Sequence, residues 1–278
     1  MRKIELLSPA KDLICGIEAI NHGADAVYIG APRFSARVAA GNEIGDIEKL
    51  CNYAHNFGAK VHVALNTILT DNELKECEML IKQLYEVGVD VLIIQDLGLL
   101  TLNLPPLELH ASTQMDNRTP EKVKMLENLG FNRVVLAREL SISEMAKIRQ
   151  QTNIELEAFV HGALCVSCSG QCYLSQSAVG RSANRGACAQ LCRLPYTLTD
   201  ANGNVLLHDK HLLSLKDMNR SDYIEDMILA GISSFKIEGR LKEVEYVKNV
   251  TAFYRQKIDS VLEKLNCEKS SFGKITYH

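Results

Sequence analysis

Residues 60–94 read KVHVALNTILTDNELKECEMLIKQLYEVGVDVLII. The first six and the last four of these residues form short apolar runs rich in Val, Ile and Leu, a pattern typical of parallel strands covered on both faces. Between the two runs, residues 71–87 show the apolar spacing of a helix, and Gly88 follows, where a left-handed residue can end it. The stretch therefore predicts one strand–helix–strand unit of a parallel sheet.

The same unit recurs along the chain. Helical patterns that open on Asp or Pro and close on Gly are predicted over residues 12–22, 46–57 and 120–129, in addition to 71–87. The predicted strands lie over residues 4–7, 26–29, 60–65, 91–94, 107–110, 133–136, 154–160 and 233–237. Eight strands alternating with helices over roughly 250 residues are typical of a (β/α)8 TIM-type barrel, the α/β fold that we predict.

An open, doubly wound sheet is the alternative architecture. Such sheets usually carry a glycine-rich phosphate-binding turn after the first strand. Here the first predicted strand is followed at residues 8–12 by Ser-Pro-Ala-Lys-Asp, which contains no glycine. We therefore favour the barrel.

A long connection interrupts the regular spacing after the seventh predicted strand. It contains a predicted hairpin over residues 196–199 and 205–208. We predict a barrel domain over residues 1–265, a cysteine-rich loop insertion within it over residues 161–232, and a tail over residues 266–278. Loops that follow barrel strands lie at the carboxyl-terminal face, where active sites are built, so the insertion should cover the barrel mouth.

Composition excludes several functional classes. Lys and Arg number 31 and Asp and Glu number 34, so the net charge of -3 gives no overall basic surface for nucleic acid. No apolar run approaches the length of a membrane span, and the start of the chain has no apolar signal region. The sequence therefore predicts a cytoplasmic enzyme with no membrane partner.

Five of the nine cysteines lie within the insertion, with the spacing Cys165-x2-Cys168-x3-Cys172-x15-Cys188-x3-Cys192. Thiolates so closely spaced and interleaved with glycine can converge on one metal ion or cluster, which we favour over five buried core cysteines. Zinc and an iron–sulfur cluster both take four thiolates. Only the first gap matches a zinc-ribbon knuckle, and the irregular remaining gaps favour iron and sulfur. The other four cysteines are expected in the core.

Polar residues lie in or just after predicted strands five to eight, where a barrel would bring them together at its mouth. Alternation in the last strand places Lys236, Glu238 and Arg240 on one side. We assign catalysis to Glu157, His161, Lys236 and Glu238, and substrate binding to His110, Gln114, Arg138 and Arg240. A buried ion pair or a hydrogen-bonded core histidine is the structural alternative for each. No hydrolase nucleophile motif and no phosphate-binding loop is present.

Several motifs identify a family. They are EAFVHGALC at residues 157–165, SGQCYLS at 169–175, GRSANRG at 180–186, LSLKD at 213–217 and FKIEGR at 235–240. Together they resemble the signature of the peptidase U32 family, and the likeness extends over nearly the whole chain. Residues 233–242 and 246–251 look most like the branch that hydroxylates a cytidine of 23S ribosomal RNA.

The resemblance implies a function. Members were first labelled collagenase-like proteases, but better understood relatives carry a [4Fe-4S] cluster and hydroxylate RNA bases or ubiquinone precursors without molecular oxygen, in chemistry linked to prephenate. We therefore expect an iron–sulfur enzyme that hydroxylates a pyrimidine in RNA, most similar to the ribosomal RNA cytidine branch. A peptidase is the alternative, and a ubiquinone precursor is the alternative small-molecule acceptor.

The chain departs from the family in two places. Some members place a cluster cysteine where this chain has Met218 and Asn219, so the fourth ligand should be Cys192 or Cys168. We predict Cys165, Cys172, Cys188 and Cys192 as ligands, with Cys168 as a spare. RNA-hydroxylating members also tend to continue through a long C-terminal region, so this chain is either truncated or lacks an RNA-handling part. Weak RNA binding is expected from the local cations Arg181, Arg185, Arg193, Lys210, Lys216 and Arg220.

Overall fold

The computed structural model of the protein describes residues 3–36, 41–239 and 241–267. Its strands are β1 (Glu5–Ala10), β2 (Ala26–Gly30), β3 (Lys60–Leu65), β4 (Val91–Ile94), β5 (Glu108–Ala111), β6 (Arg133–Val135), β7 (Glu155–Gly162), β8 (Tyr196–Thr199), β9 (Val205–Lys210), β10 (Met218–Asn219) and β11 (Ser234–Ile237). Its α-helices are α1 (Leu13–Asn21), α2 (Ile44–Asn56), α3 (Asp71–Glu86), α4 (Pro120–Asn128), α5 (Ile142–Gln151), α6 (Leu174–Val179), α7 (Ile224–Leu229) and α8 (Val244–Lys264).

Eight parallel strands close into a barrel. Strands β1 to β7 pair in chain order, and β11 pairs with both β7 and β1, which completes the ring. The predicted TIM-type (β/α)8 barrel is confirmed, and the alternative interpretation as an open doubly wound sheet is wrong. All eight predicted barrel strands are present, with ends that differ by at most three residues. Most of predicted tail 266–278 lies outside the described residues.

Strand β1 continues through Ser8-Pro9-Ala10, which the sequence analysis placed in the following loop. A proline lacks the N–H that a central strand normally donates. The β11 partner pairs only with residues 5–7, so Pro9 lies beyond that ladder and disrupts no hydrogen bond on that side. The chain can therefore remain extended.

Helix α3 shows how local sequence fixes an element. Thr70 and Glu73 form a reciprocal capping box at its start, which satisfies two backbone donors that the first turn leaves unpaired. Gly88 has a φ of +89°, the left-handed conformation predicted after the helix. Within the described ranges, no helix is both long and apolar enough to span a lipid bilayer.

The two sides of the barrel strands differ in chemistry. Outward-facing side chains pack with the helices in a continuous apolar core that includes Leu6, Val63 and Phe235. The barrel interior instead carries a buried charged network around Glu157 on β7, whose side chain has no solvent exposure.

Glu157 joins three neighbouring strands. Its carboxylate accepts hydrogen bonds from Lys236 Nζ at 2.8 Å, Ser234 Oγ at 3.2 Å and Arg133 Nη1 at 3.3 Å. Arg133 also bonds to Glu5 of β1 and to Glu155. Burial raises the pKa of Glu157, but the charges of Lys236 and Arg133 outweigh burial and lower that pKa to about 2. The carboxylate is therefore ionised inside the barrel.

We predict that Glu157→Gln lowers the free energy of unfolding at pH 7 by about 3 kcal/mol, because it removes a fully buried negative charge that Lys236 and Arg133 share. A group with a depressed folded pKa stabilises the fold above its unfolded pKa and loses that contribution as pH falls through the folded value. The difference between the variant and the wild type should therefore shrink from about pH 4.5 towards pH 2. Denaturant unfolding at several pH values measures it.

Glu155→Gln is the matched control, because Glu155 lies on the same strand and bonds to the same arginine, but its side chain is 43% exposed. An exposed ion pair contributes less than about 1 kcal/mol. Equal losses in the two variants would contradict the central role of Glu157.

Candidate active site at the carboxyl end of the barrel

The insertion leaves the carboxyl end of β7 and returns to it. Strand β10 pairs antiparallel with the end of β7, with Met218 opposite Gly162 and Asn219 opposite His161. The predicted hairpin is present as β8 and β9, with β9 extended to Lys210. Strand β10 is a feature that the sequence analysis missed, because two residues are too few to show periodicity.

All five cysteines of the insertion line one cavity of about 520 Å³, here called the cysteine cavity. Its wall also includes Gln114, Arg138 and Glu238, which follow β5, β6 and β11. The predicted position of the cysteines over the barrel mouth is therefore observed, together with three of the predicted site residues.

Cys192 lies within electrostatic range of three other thiols of the insertion. Burial raises the pKa of the Cys192 thiol, the charge of Arg193 lowers it, and Cys165, Cys188 and Cys172 each raise it further. Cys168 instead accepts a hydrogen bond from Arg118 Nη1 at 3.4 Å.

The donor set suits a thiolate-bound cofactor. Among the described residues, no three His, Cys, Asp or Glu side chains are grouped so that they could hold a metal ion. A tetrahedral zinc site requires sulfurs about 3.8 Å apart, as its bond length dictates. In an iron–sulfur cubane each thiolate binds a different iron, so the cysteine sulfurs lie farther apart. Five thiols on one cavity wall are the donor type that both a zinc ion and an iron–sulfur cluster take.

A second, smaller space of about 50 Å³, here called the axial pocket, lies within the barrel. Arg138 and Glu238 line both spaces and bond to each other through Arg138 Nη2 and Glu238 Oε2. The Arg138 guanidinium lies 4.2 Å from the ring centroid of Phe159, and its Nε is buried without a hydrogen-bond partner. The arginine–glutamate pair thus separates the cysteine cavity from the axial pocket.

Lys236 faces the barrel axis, as the alternation predicted. Its side chain lines the axial pocket, with Nζ 4.3 Å from the ring centroid of Tyr28. Alternation along β2 and β7 could have identified Tyr28 and Phe159 as pocket residues, but both resemble ordinary core aromatics in sequence. Arg240, a predicted substrate ligand, lies outside the described residues.

His161 does not lie where strand alternation predicts. Phe159 pairs with Lys236 and His161 with Ile237, so β7 contains one extra residue at this point. Such a bulge reverses the direction of the next side chain. His161 therefore contacts α8, with Nδ1 3.3 Å from Tyr254 Oη, and it lines neither the cysteine cavity nor the axial pocket. Burial lowers its pKa.

His110 and Glu157 also lie away from the mouth. His110 is buried inside the barrel, where its ring meets that of His62 edge to face with centroids 5.1 Å apart. Burial is the main cause of its lowered pKa. Both residues are within strands rather than at their ends, which is a correction to the placement expected from sequence.

Gly170 brings the cysteine loop against the barrel mouth. Its φ is +74°, and a Cβ at this position would lie 2.0 Å from the Gln114 carbonyl oxygen. Only glycine permits this contact between the insertion and the loop after β5.

The fold and site define a TIM-barrel protein with a thiol-lined cavity over its carboxyl-terminal mouth. The chain belongs to peptidase family U32, whose family model matches residues 11–276. A solved structure of a U32 peptidase has the same fold, with a TM-score of 0.54 at 14% identity, and the match covers 86% of this chain and 93% of that one.

Three relatives match over most of the chain. The 23S rRNA 5-hydroxycytidine synthase of Escherichia coli is 55% identical over 94% of this chain and 40% of its own length. An uncharacterised protease of Methanocaldococcus jannaschii is 39% identical over 99% of this chain and 70% of its own. A tRNA hydroxylation protein of Bacillus subtilis is 37% identical over 93% of this chain and 64% of its own. The chain thus spans well under half of the E. coli relative.

We predict that Gly170→Ala loosens the cysteine loop and destabilises the protein by about 1–3 kcal/mol, because the new methyl group collides with backbone and the positive φ is strained. Gly180→Ala is the matched control, since Gly180 has a φ of +69° in the same insertion but nothing lies within 4 Å of its Cβ position. Hydrogen exchange over residues 163–172 measures the difference. Equal protection in the two variants would contradict the contact.

Proposed function

We propose that the chain holds a [4Fe-4S] cluster in the cysteine cavity and hydroxylates a pyrimidine base of RNA without molecular oxygen, with a ribosomal RNA cytidine as substrate. The observation that carries this proposal is the position of five cysteines above a pocket whose roof is an arginine–glutamate pair. The name of the E. coli relative supports a 23S rRNA cytidine as the target. The name of the B. subtilis relative supports an RNA base as the substrate class.

The proposed cluster ligands are Cys165, Cys172, Cys188 and Cys192. All four line the cysteine cavity, and the contact of Cys168 with Arg118 supports the role of Cys168 as the spare. Zinc is the alternative metal.

A bound cluster would supply one-electron redox chemistry next to the base. The chain's own residues would bind and orient that base at the boundary of the two spaces. A Glu238 carboxylate oxygen can accept from the cytosine N4 amino group, which uracil lacks, and Arg138 can donate to a ring carbonyl. Phe159 supports Arg138 from within the barrel, with its ring centroid 4.2 Å from the guanidinium.

The predicted catalytic residues divide by position. Glu238 lines both spaces and Lys236 lines the axial pocket, so these two can meet substrate. Glu157 would act through Lys236, whose ammonium it holds at 2.8 Å, and is therefore a positioning residue. His161 and His110 lie too far from both spaces to contact a base bound there.

A peptidase is the alternative, and the family name and the archaeal relative favour it. A cysteine or serine protease needs a histidine or another base beside its nucleophile. Among the described residues, no histidine lines the cysteine cavity or the axial pocket. The geometry therefore disfavours a peptidase that uses a cysteine–histidine or serine–histidine pair.

The net charge of -3 gives the chain little long-range attraction for a polyanion, and several arginines of the insertion are tied to its own backbone. Arg181, Arg185, Arg193 and Arg220 each donate to backbone carbonyls of the protein itself. Affinity for RNA rises with the number of phosphates neutralised, so we expect this chain alone to bind RNA weakly, and we propose that firm binding needs a further region or partner. A cytoplasmic location, a link to prephenate and a ubiquinone precursor as alternative acceptor belong to the same proposal.

We predict that overexpression of this chain in E. coli lacking its own 23S rRNA 5-hydroxycytidine synthase restores 5-hydroxycytidine in ribosomal RNA, as measured by nucleoside mass spectrometry, because a high protein concentration offsets weak RNA binding. Glu238→Gln should lower the level by about 10-fold or more, because the neutral amide loses the ion pair with Arg138 and keeps only one of the two acceptor oxygens. Glu243→Gln is the control, since Glu243 undergoes the same chemical change on an exposed side chain paired with Lys11.

Absence of 5-hydroxycytidine with the wild-type chain would contradict the proposed function. Release of peptides from gelatin by the purified protein would then favour the peptidase. A Glu238→Gln variant as active as wild type would remove Glu238 from the base-binding residues.

A further inference from the structure

Three segments of the insertion meet at one side chain. Arg193 follows Cys192 directly in the chain, and its Nη1 donates to Ser214 Oγ at 2.8 Å and to the Leu215 carbonyl at 3.1 Å. Its Nη2 donates to the carbonyl of Leu164, the residue immediately before Cys165. His211 Nδ1 lies 2.9 Å from the Arg193 carbonyl oxygen. One guanidinium thus holds together backbone segments that are far apart in sequence.

These contacts act on both ends of the cysteine motif. Cys165 and Cys192 are the first and last cysteines of the insertion, and both line the cysteine cavity. Since the chain between them has no long helix or strand that could fix their separation, the Arg193 side chain provides a direct connection from one to the other. A lysine has one compact ammonium and cannot reproduce a planar fork that serves three acceptors.

We infer that Arg193 is a positioning residue that holds Cys165 and Cys192 on one wall of the cysteine cavity and places a positive charge beside the bound cluster. This inference rests on the proposed function, because it requires the cluster. The charge should raise the cluster's reduction potential, since net charge near a cluster is one of the factors that set it.

Other arginines of the insertion provide the comparison. Arg181 donates to the carbonyls of Ala187 and Cys188 and so fixes a different cysteine segment. Arg185 donates to the Ile68 carbonyl and to Glu73 of α3, which anchors the insertion to the barrel. The Arg185 side chain anchors the insertion but bonds to no residue adjacent to a cysteine. A variant at Arg185 therefore tests the loss of anchoring without the loss of ligand positioning.

The test compares anaerobically reconstituted wild type with Arg193→Gln, Arg193→Lys and Arg185→Gln. The readouts are the rate of iron loss to a chelator, the electron paramagnetic resonance spectrum of the reduced cluster, and its midpoint potential. We expect Arg193→Gln to lose iron about 10-fold faster or more and to have a more negative potential. Arg193→Lys should keep the wild-type potential, because the charge remains, but should still lose iron faster. Arg185→Gln should match the wild type in both readouts.

Wild-type iron retention and potential in Arg193→Gln would overturn the inference, as would an equal change in Arg185→Gln, which would indicate general loosening. A folding defect would appear as a lower melting temperature of the cluster-free variant than of cluster-free wild type. If Arg193→Gln takes up no cluster but melts like cluster-free wild type, the inference is supported, whereas a clearly lower melting temperature assigns Arg193 to the fold and refutes it.

A failure of this inference can be distinguished from a failure of the proposed function. A wild-type protein that binds a cluster but hydroxylates no RNA leaves the role of Arg193 intact and removes only the substrate. A wild-type protein that takes up no iron refutes the cofactor and this inference together.

Discussion

The ionised carboxylate of Glu157 at the centre of the barrel is the interaction on which the arrangement of the site depends. Through Arg133, Lys236 and Ser234 it links β7 to both neighbouring strands, and Arg133 extends the link to Glu5 of β1. Removing one member of such a network leaves buried charges uncompensated, which costs far more than a surface ion pair. The strands that present Arg138 and Glu238 at the mouth are thereby held in one relative position.

Above this network, two close backbone contacts at glycines shape the site. At Gly162, where β7 ends, a Cβ would lie 2.7 Å from the Glu238 carbonyl oxygen, so β7 and the residues after β11 approach closely only because no side chain is present. At Gly170 the cysteine loop packs against the Gln114 backbone in the same way. The cysteines are consequently fixed over the arginine–glutamate pair, and a substrate in the cavity would lie between the two.

Much of the fold could be predicted from sequence because it depends on local patterns. Apolar runs, capping residues and closing glycines are read within a few residues, as the capping box at Thr70 illustrates. The cysteines could be assigned to one site because their spacing is itself a chemical signal. The extra residue in β7 could not be predicted, since it appears only in the pairing with β11, and it turns His161 towards α8. A charged residue in a strand likewise has the same sequence signature inside a barrel as at its mouth, which is why Glu157 resembled a catalytic group.

We propose that four of the five insertion cysteines hold an iron–sulfur cluster above the Arg138–Glu238 pair. Anomalous diffraction at the iron edge from anaerobically grown crystals tests it most directly. The account predicts iron density inside the cysteine cavity at about 2.3 Å from the Sγ atoms of Cys165, Cys172, Cys188 and Cys192, a typical metal–thiolate distance, with Cys168 remaining beside Arg118. A single peak at the zinc edge, or ligation by Cys168 in place of Cys192, would contradict it.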